Sequence, residues 1–344
     1  MTLKVGIIGT GSMFKAAHLP GWLSRPEVEI VAFCDALRAS AEALAANFPG
    51  AKVYDHFSEV LADPSIDIIG ISTPNVFHSE IAVAALRQGK HVFCEKPDAV
   101  NPVEAQKMAD AARETGKLLM VMRNNRFSQE AQYVKRLVEK GQLGELYMGR
   151  CGWVRRRGIP GRGGWFTTKA LSGGGPLIDL GVHMIDLAMW LSGNPKPVTV
   201  SGSTYRKFAD RPDASGKVPE GTFDVEDLAS GFIRFDNGAS LQIEFSWASN
   251  IEKEEKFLEW RGTEGGFSLV NDKLNLYLEN EGALINQQPY FKDEIPQHTA
   301  NIQHFIDCVL GHERPIFTPE QGVDMIKILS AIYESAERGR EIVL

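Results

Sequence analysis

Short apolar runs punctuate the first third of the chain at a spacing that predicts strands separated by helices. Val5-Gly6-Ile7-Ile8 and Ile66-Asp67-Ile68-Ile69-Gly70-Ile71 are nearly continuous in apolar residues, the pattern of strands covered on both faces of a parallel sheet. The same reading predicts strands at Leu3–Gly9, Val28–Cys34, Ala51–Tyr54, Ile66–Ser72, His91–Cys94 and Leu118–Met122. Helical stretches at Ala39–Asn47, Ser79–Gln88 and Pro102–Thr115 lie between them. Alternation of this kind builds right-handed βαβ units, so residues 1–122 are expected to form a doubly wound parallel sheet of the Rossmann type.

Past residue 122 the rhythm changes. A helical stretch at Gln129–Lys140 ends at Gly141, and a strand pattern over Glu145–Arg156 follows. Longer β-like runs are predicted at Val198–Tyr205, Leu228–Phe235, Ala239–Trp247, Lys256–Trp260, Gly266–Leu269 and Leu274–Tyr277, with Asp236-Asn237-Gly238 as a hairpin turn. Helices near Thr299–Leu310 and Pro319–Arg338 close the chain, and Lys207–Asp224, rich in Pro, Gly, Asp and Lys, reads as an exposed loop. Residues 123–344 are therefore expected to form an α+β domain on a large, mostly antiparallel open sheet flanked by helices. A half-apolar open sheet needs cover, which predicts a homodimer or homotetramer.

One segment stands apart. Gly173-Gly174-Gly175-Pro176 opens a helix that continues through Leu191 and is apolar at nearly every position, so it is expected to be buried around most of its circumference. Asp179 and His183 break the pattern four residues apart, one above the other on an α-helical face. A buried carboxylate and imidazole are costly unless paired or put to use. Three readings stand at this point: an active-site pair, a satisfied structural pair, and a metal site formed with Asp186 at i, i+4 and i+7.

Two further groups lie at the carboxyl ends of predicted parallel strands, the edge where such sheets bind ligands. Gly9-Thr10-Gly11-Ser12-Met13-Phe14 follows the first strand. Gly9 permits a tight turn and Gly11 lets backbone approach a pyrophosphate at a helix N-terminus, although Phe14 stands where a third glycine is usual. Asp35, closing the second strand, lies 24 residues beyond Gly11, where an acid can bind the ribose diol of NAD. Arg38 could admit the 2′-phosphate of NADP or be a surface arginine. The second group is Ser72-Thr73-Pro74-Asn75-Val76-Phe77-His78 with Cys94-Glu95-Lys96-Pro97. Pro97 restricts Lys96 to an extended backbone, and a lysine held at this edge can donate to a substrate hydroxyl.

Composition narrows the function class. The 344 residues carry a net charge of −7, which argues against nucleic acid or an anionic membrane as main partner. The four cysteines (Cys34, Cys94, Cys151 and Cys308) show no CxxC spacing and read as reduced core thiols of a cytoplasmic protein. No leader pattern and no 18-residue apolar run is seen.

Taken together, Gly9-x-Gly11, Thr73-Pro74-Asn75-x-x-His78, Glu95-Lys96-Pro97 and Gly173-Gly174-Gly175-x-Leu177-x-Asp179-x-Gly181-x-His183-x-x-Asp186 resemble the glucose–fructose oxidoreductase/inositol dehydrogenase (Gfo/Idh/MocA) family. The resemblance implies an NAD or NADP cofactor on the first domain, held by Gly9, Gly11, Ser12, Met13, Asp35, Arg38, Ser72, Thr73, Pro74, Asn75, His78, Glu95, Lys96 and Trp165. It implies a polyhydroxy substrate bound between the domains, with hydride passing between a secondary alcohol and the nicotinamide. By position, His183 would be the general base, Lys96 the donor to the reacting oxygen and Asp179 the residue that positions substrate and tunes His183. Asn125 and Arg126, on the segment leaving the last strand, and Arg156 and Trp165 would add substrate contacts; no metal is implied. Where relatives frequently carry Trp-Arg, this chain has Trp165-Phe166. Relatives that hold NAD tightly in a redox-neutral cycle, and a non-catalytic nucleotide sensor, are the rival readings.

Overall fold

A computed structural model describes residues 2–212, 216–218, 220–292 and 295–344. The chain divides into two compact units, one formed by residues up to Phe127 with Ile295–Val323, the other by the chain from Ser128 with Asp324–Leu344.

The first unit is built on six parallel strands: β1 (Leu3–Ile8), β2 (Val28–Cys34), β3 (Lys52–Tyr54), β4 (Ile68–Ile71), β5 (His91–Cys94) and β6 (Leu119–Val121). Their order is β3-β2-β1-β4-β5-β6, the doubly wound dinucleotide-binding order with its switch point between β1 and β4. All four residues of β4 are buried, as the continuous apolar run requires. A helix at Phe57–Ala62, which the periodicity does not predict, is capped by His56 and Glu59 in a reciprocal box.

The return of Ile295–Val323 to this unit has a plain physical cause. The helix Gln297–Val309 buries Ile302, Phe305 and Ile306. Phe305 packs edge-on against Phe93 and Trp22, at ring centroid distances of 5.3 and 6.0 Å. At its outer end Asp307 takes a two-pronged contact from Arg25, at 2.7 and 2.8 Å.

The second unit carries nine strands: β7 (Leu146–Val154), β8 (Pro197–Tyr205), β9 (Leu228–Phe235), β10 (Ser240–Ser246), β11 (Glu255–Gly262), β12 (Gly265–Val270), β13 (Lys273–Asn280), β14 (Ala283–Gln287) and β15 (Ile342–Val343). Their order is β14-β13-β12-β11-β7-β10-β9-β8-β15. Only β7 and β10 pair in parallel; the other described pairs are antiparallel. The turn at Asp236–Gly238 joins β9 to β10, with Gly238 at φ 85°. The short strands β14 and β15 are not anticipated by the hydrophobic pattern. Part of the loop Lys207–Asp224 departs from full exposure: Phe208 and Ala209 are buried, pinned where Asp227 accepts the amides of Lys207 and Phe208. Residues 213–215 and 219 of that loop lie outside the described residues.

The cysteines are free, three of them buried. No helix among the described residues is long and apolar enough to cross a membrane.

Candidate active site

In the first unit, Gly9 ends β1 at φ 94°, and a Cβ there would lie 2.5 Å from the backbone of Ser72. Only glycine permits this approach between the turns that follow β1 and β4. Gly11, Ser12 and Met13 are exposed beyond it. The helix then starts as a π-helical turn, Phe14–His18, before Leu19–Leu23. Phe14 is buried, so the residue that departs from the glycine pattern points into the core and leaves the turn clear.

Asp35 is held by the turn it faces. Its Oδ2 accepts the Thr10 amide and hydroxyl at 2.7 and 2.9 Å, and its Oδ1 accepts the Leu37 amide at 2.9 Å. Arg38 is engaged by Glu42 and Asp55. The hydroxyls of Ser72 and Thr73 are buried without a hydrogen-bond partner among the described residues. Buried hydroxyls are nearly always satisfied, so this orphaned pair beside Gly9 at the end of β4 marks the edge where a doubly wound sheet binds its ligand. The residues present therefore fit NAD.

Pro74 precedes the short helical turn Asn75–Phe77, with Asn75 buried. His78 is fully buried, its Nδ1 2.7 Å from the Pro97 carbonyl oxygen and its Nε2 2.9 Å from that of Thr73. His78 thus ties the turn after β4 to the turn after β5. The Lys96–Pro97 peptide is cis. Lys96 is half-buried, and its amide donates to Glu95 Oε2 at 3.0 Å. Glu95 Oε1 lies 2.5 Å from His18 Nε2, with both residues buried. Burial pushes the Glu95 carboxyl up, but the pull of His18, Lys96 and His78 outweighs it and holds the group at about 2.

Arg126, expected at the substrate, is placed inside the first unit. It is 1% exposed, its guanidinium donates to the Ile316 carbonyl at 2.7 Å and to Gln321 Oε1 at 2.9 Å, and it lies over Phe317. These contacts tie it to the returning segment. Asn125 is buried beside it and accepts from Asn124 Nδ2 at 3.3 Å.

In the second unit, residues 174–191 are all buried except two, Asp179 and His183, which are half-buried. The helix bearing them differs from the expected continuous α-helix: Leu177–Gly181 is a π-helical turn and Val182–Leu191 is α-helical. Such turns occur frequently at functional sites. The Trp247 indole N–H donates to Asp179 Oδ2 at 3.0 Å. His183 faces the Trp153 ring at 6.4 Å between centroids, and Arg155 lies over that same indole. Among the described residues no group of three or more His, Cys, Asp or Glu is arranged to hold a metal ion.

The glycines before this helix are explained by what approaches them. Glu226, buried, accepts the Gly175 amide at 2.9 Å, the Leu177 amide at 3.0 Å and the Tyr333 hydroxyl at 2.8 Å. A Cβ on Gly174 would sit 2.0 Å from the Tyr333 hydroxyl, and one on Gly175 2.0 Å from the Glu226 carbonyl oxygen. Trp165 and Phe166 stack on one another, centroids 3.8 Å apart, so one face of Trp165 is occupied. Arg156 is exposed; its amide and that of Arg157 donate to Glu254.

A doubly wound sheet with this glycine turn and acid, followed by an open sheet and a buried helix carrying a half-buried Asp and His, fits a dinucleotide-dependent oxidoreductase of two-domain type. The chain belongs to the Gfo/Idh/MocA oxidoreductase family: residues 3–123 match its NAD-binding Rossmann fold and residues 131–268 its C-terminal domain. It is 35% identical to a D-glucoside 3-dehydrogenase of Escherichia coli (strain K12), over 99% of this chain and 97% of that protein. It is 31% identical to a levoglucosan dehydrogenase of Pseudarthrobacter phenanthrenivorans (strain DSM 18606 / JCM 16027 / LMG 23796 / Sphe3), over 76% and 72% of the two chains. A solved levoglucosan dehydrogenase in complex with NADH and L-sorbose superposes with a TM-score of 0.89 at 26% identity, covering 99% and 98% of the chains.

Proposed function

We propose that the chain is an NAD-dependent dehydrogenase acting on a secondary alcohol of a pyranoside, cyclitol or related polyol. The observation that carries this reading is that Asp179 and His183 alone are only half-buried in a helix otherwise buried from residue 174 to 191. The likeness to a D-glucoside 3-dehydrogenase along nearly the whole of both chains favours a pyranoside. Asp35 favours NAD, since its carboxylate repels a 2′-phosphate, and Arg38 is already committed to Glu42 and Asp55.

When bound, NAD supplies the nicotinamide carbon that accepts the hydride. His183 takes the hydroxyl proton as the carbinol carbon is oxidised, a task suited to imidazole because its ordinary pKa lies near neutrality. The Lys96 ammonium donates to the same oxygen and stabilises its developing negative charge. Asp179 holds a neighbouring hydroxyl and orients the imidazole.

The test is His183→Ala assayed with glucosides, levoglucosan and inositols by the absorbance of reduced cofactor. NADH binding is expected to persist while hydride transfer is lost; undiminished turnover would sink the mechanism. Gly11→Ala probes the cofactor side. No heavy atom lies within 4 Å of a Cβ built there, so thermal stability should hold while NAD affinity drops by more than about tenfold, the backbone approach being blocked.

A further inference from the structure

Asp179 is served by residues distant in sequence. Trp247 donates its indole N–H to Asp179, and its own amide donates to the Asp227 carbonyl at 3.0 Å. The neighbouring residue, Glu226, accepts both free amides at the start of the π-helical turn that carries Asp179. Tyr333 closes the set: its hydroxyl donates to Glu226 Oε1. The dipeptide Glu226-Asp227 therefore fixes the backbone beneath Asp179 on one side and the indole that orients its carboxylate on the other.

The cost of this arrangement argues that it serves the site. Burial pushes the Glu226 carboxyl up against the pull of the Gly175 and Leu177 amides and the Tyr333 hydroxyl. A helix start can be satisfied by an exposed Ser, Thr or Asp cap without burying an ionisable group. Gly174 and Gly175 have no side chains where Tyr333 and Glu226 press in, so two positions of the chain are given over to the same contact.

We propose that Glu226, Tyr333 and Trp247 are positioning residues that set the Asp179 carboxylate for the polyol, a role that rests on Asp179 acting on substrate as inferred above. Tyr333→Phe removes one oxygen and keeps the ring; Trp247→Phe removes the donor to Asp179; Glu226→Gln removes the charge. Each should lower kcat/KM for the polyol about tenfold, the worth of one hydrogen bond to a charged group, while KM for NAD stays within about twofold, because the first unit is untouched.

The discriminating measurement is a double-mutant cycle with Asp179→Asn. If the residues act through Asp179, Trp247→Phe adds little further loss in the Asp179→Asn background. Full additivity, or wild-type kcat/KM in both Tyr333→Phe and Trp247→Phe while Asp179→Asn is impaired, overturns the positioning role. Wild-type kcat/KM in Asp179→Asn instead overturns the reading of Asp179 on which it rests.

Discussion

Each unit has a helix of the candidate site with a π-helical turn, Phe14–His18 in the first and Leu177–Gly181 in the second, and each turn is held by a buried glutamate. The two are held in opposite ways. Glu95 meets a histidine ring at 2.5 Å and the amide of a lysine, and its carboxyl is held down at about 2. Glu226 meets two backbone amides and a phenol, and burial pushes its carboxyl up. The two amides and the phenol that meet Glu226 do not outweigh its desolvation, whereas the charges gathered around Glu95 outweigh its own. The first glutamate is thus part of an electrostatic assembly around Lys96, while the second serves as a shape-determining anchor for Asp179.

The largest break of this comparison is Glu95→Gln. It leaves His18 buried without its anion, and removing one partner of a buried pair costs about 3–5 kcal/mol. Chemical denaturation should show a loss of that order. A loss below about 1 kcal/mol would mean that the His18 contact contributes no net stability.

Acid titration gives the next effect. Glu95 titrates at about 2 in the folded chain against an ordinary 4.5, so folding favours its ionised form. Its contribution, about 3 kcal/mol from a shift of this size, is complete above about pH 4.5 and is lost as pH falls towards 2. Glu226 has the opposite sign: its raised carboxyl favours the protonated folded state, so it gives up stability as pH rises past its ordinary value. Stability measured between pH 2 and 5 should lose its Glu95-dependent slope in Glu95→Gln and keep it in Glu226→Gln.

The two sheet types, the glycine turn and the Asp179/His183 pair are legible in sequence because each is a local pattern: runs of apolar residues, a glycine at a strand end, two polar residues in an apolar helix. The partners are not. Glu226 lies 51 residues from Gly175 and Tyr333 another 107 beyond, and no periodicity links them. Arg126 shows the limit most plainly. An arginine at the end of the last parallel strand reads as a ligand contact, and only the return of Ile316 and Gln321 over it shows that its donors are used inside the fold. The π-helical turns are hidden for another reason: the apolar pattern is read at a period of 3.6, and a local change to i→i+5 bonding leaves no compositional mark.

The smallest effect is the most telling, because it applies the first substitution to the second glutamate. Glu226→Gln keeps the volume and one carbonyl oxygen, which can still take the Tyr333 hydroxyl and the Leu177 amide. It removes a charge whose burial opposes folding, and it turns one amide contact, that of Gly175, from favourable to unfavourable. These changes oppose one another, so stability should move by less than about 1 kcal/mol. Equal losses of several kcal/mol in Glu95→Gln and Glu226→Gln would erase the distinction between a charge-compensated and a dipole-held carboxylate. A near-silent Glu226→Gln that also turns over polyol more slowly would locate its value in the placement of Asp179.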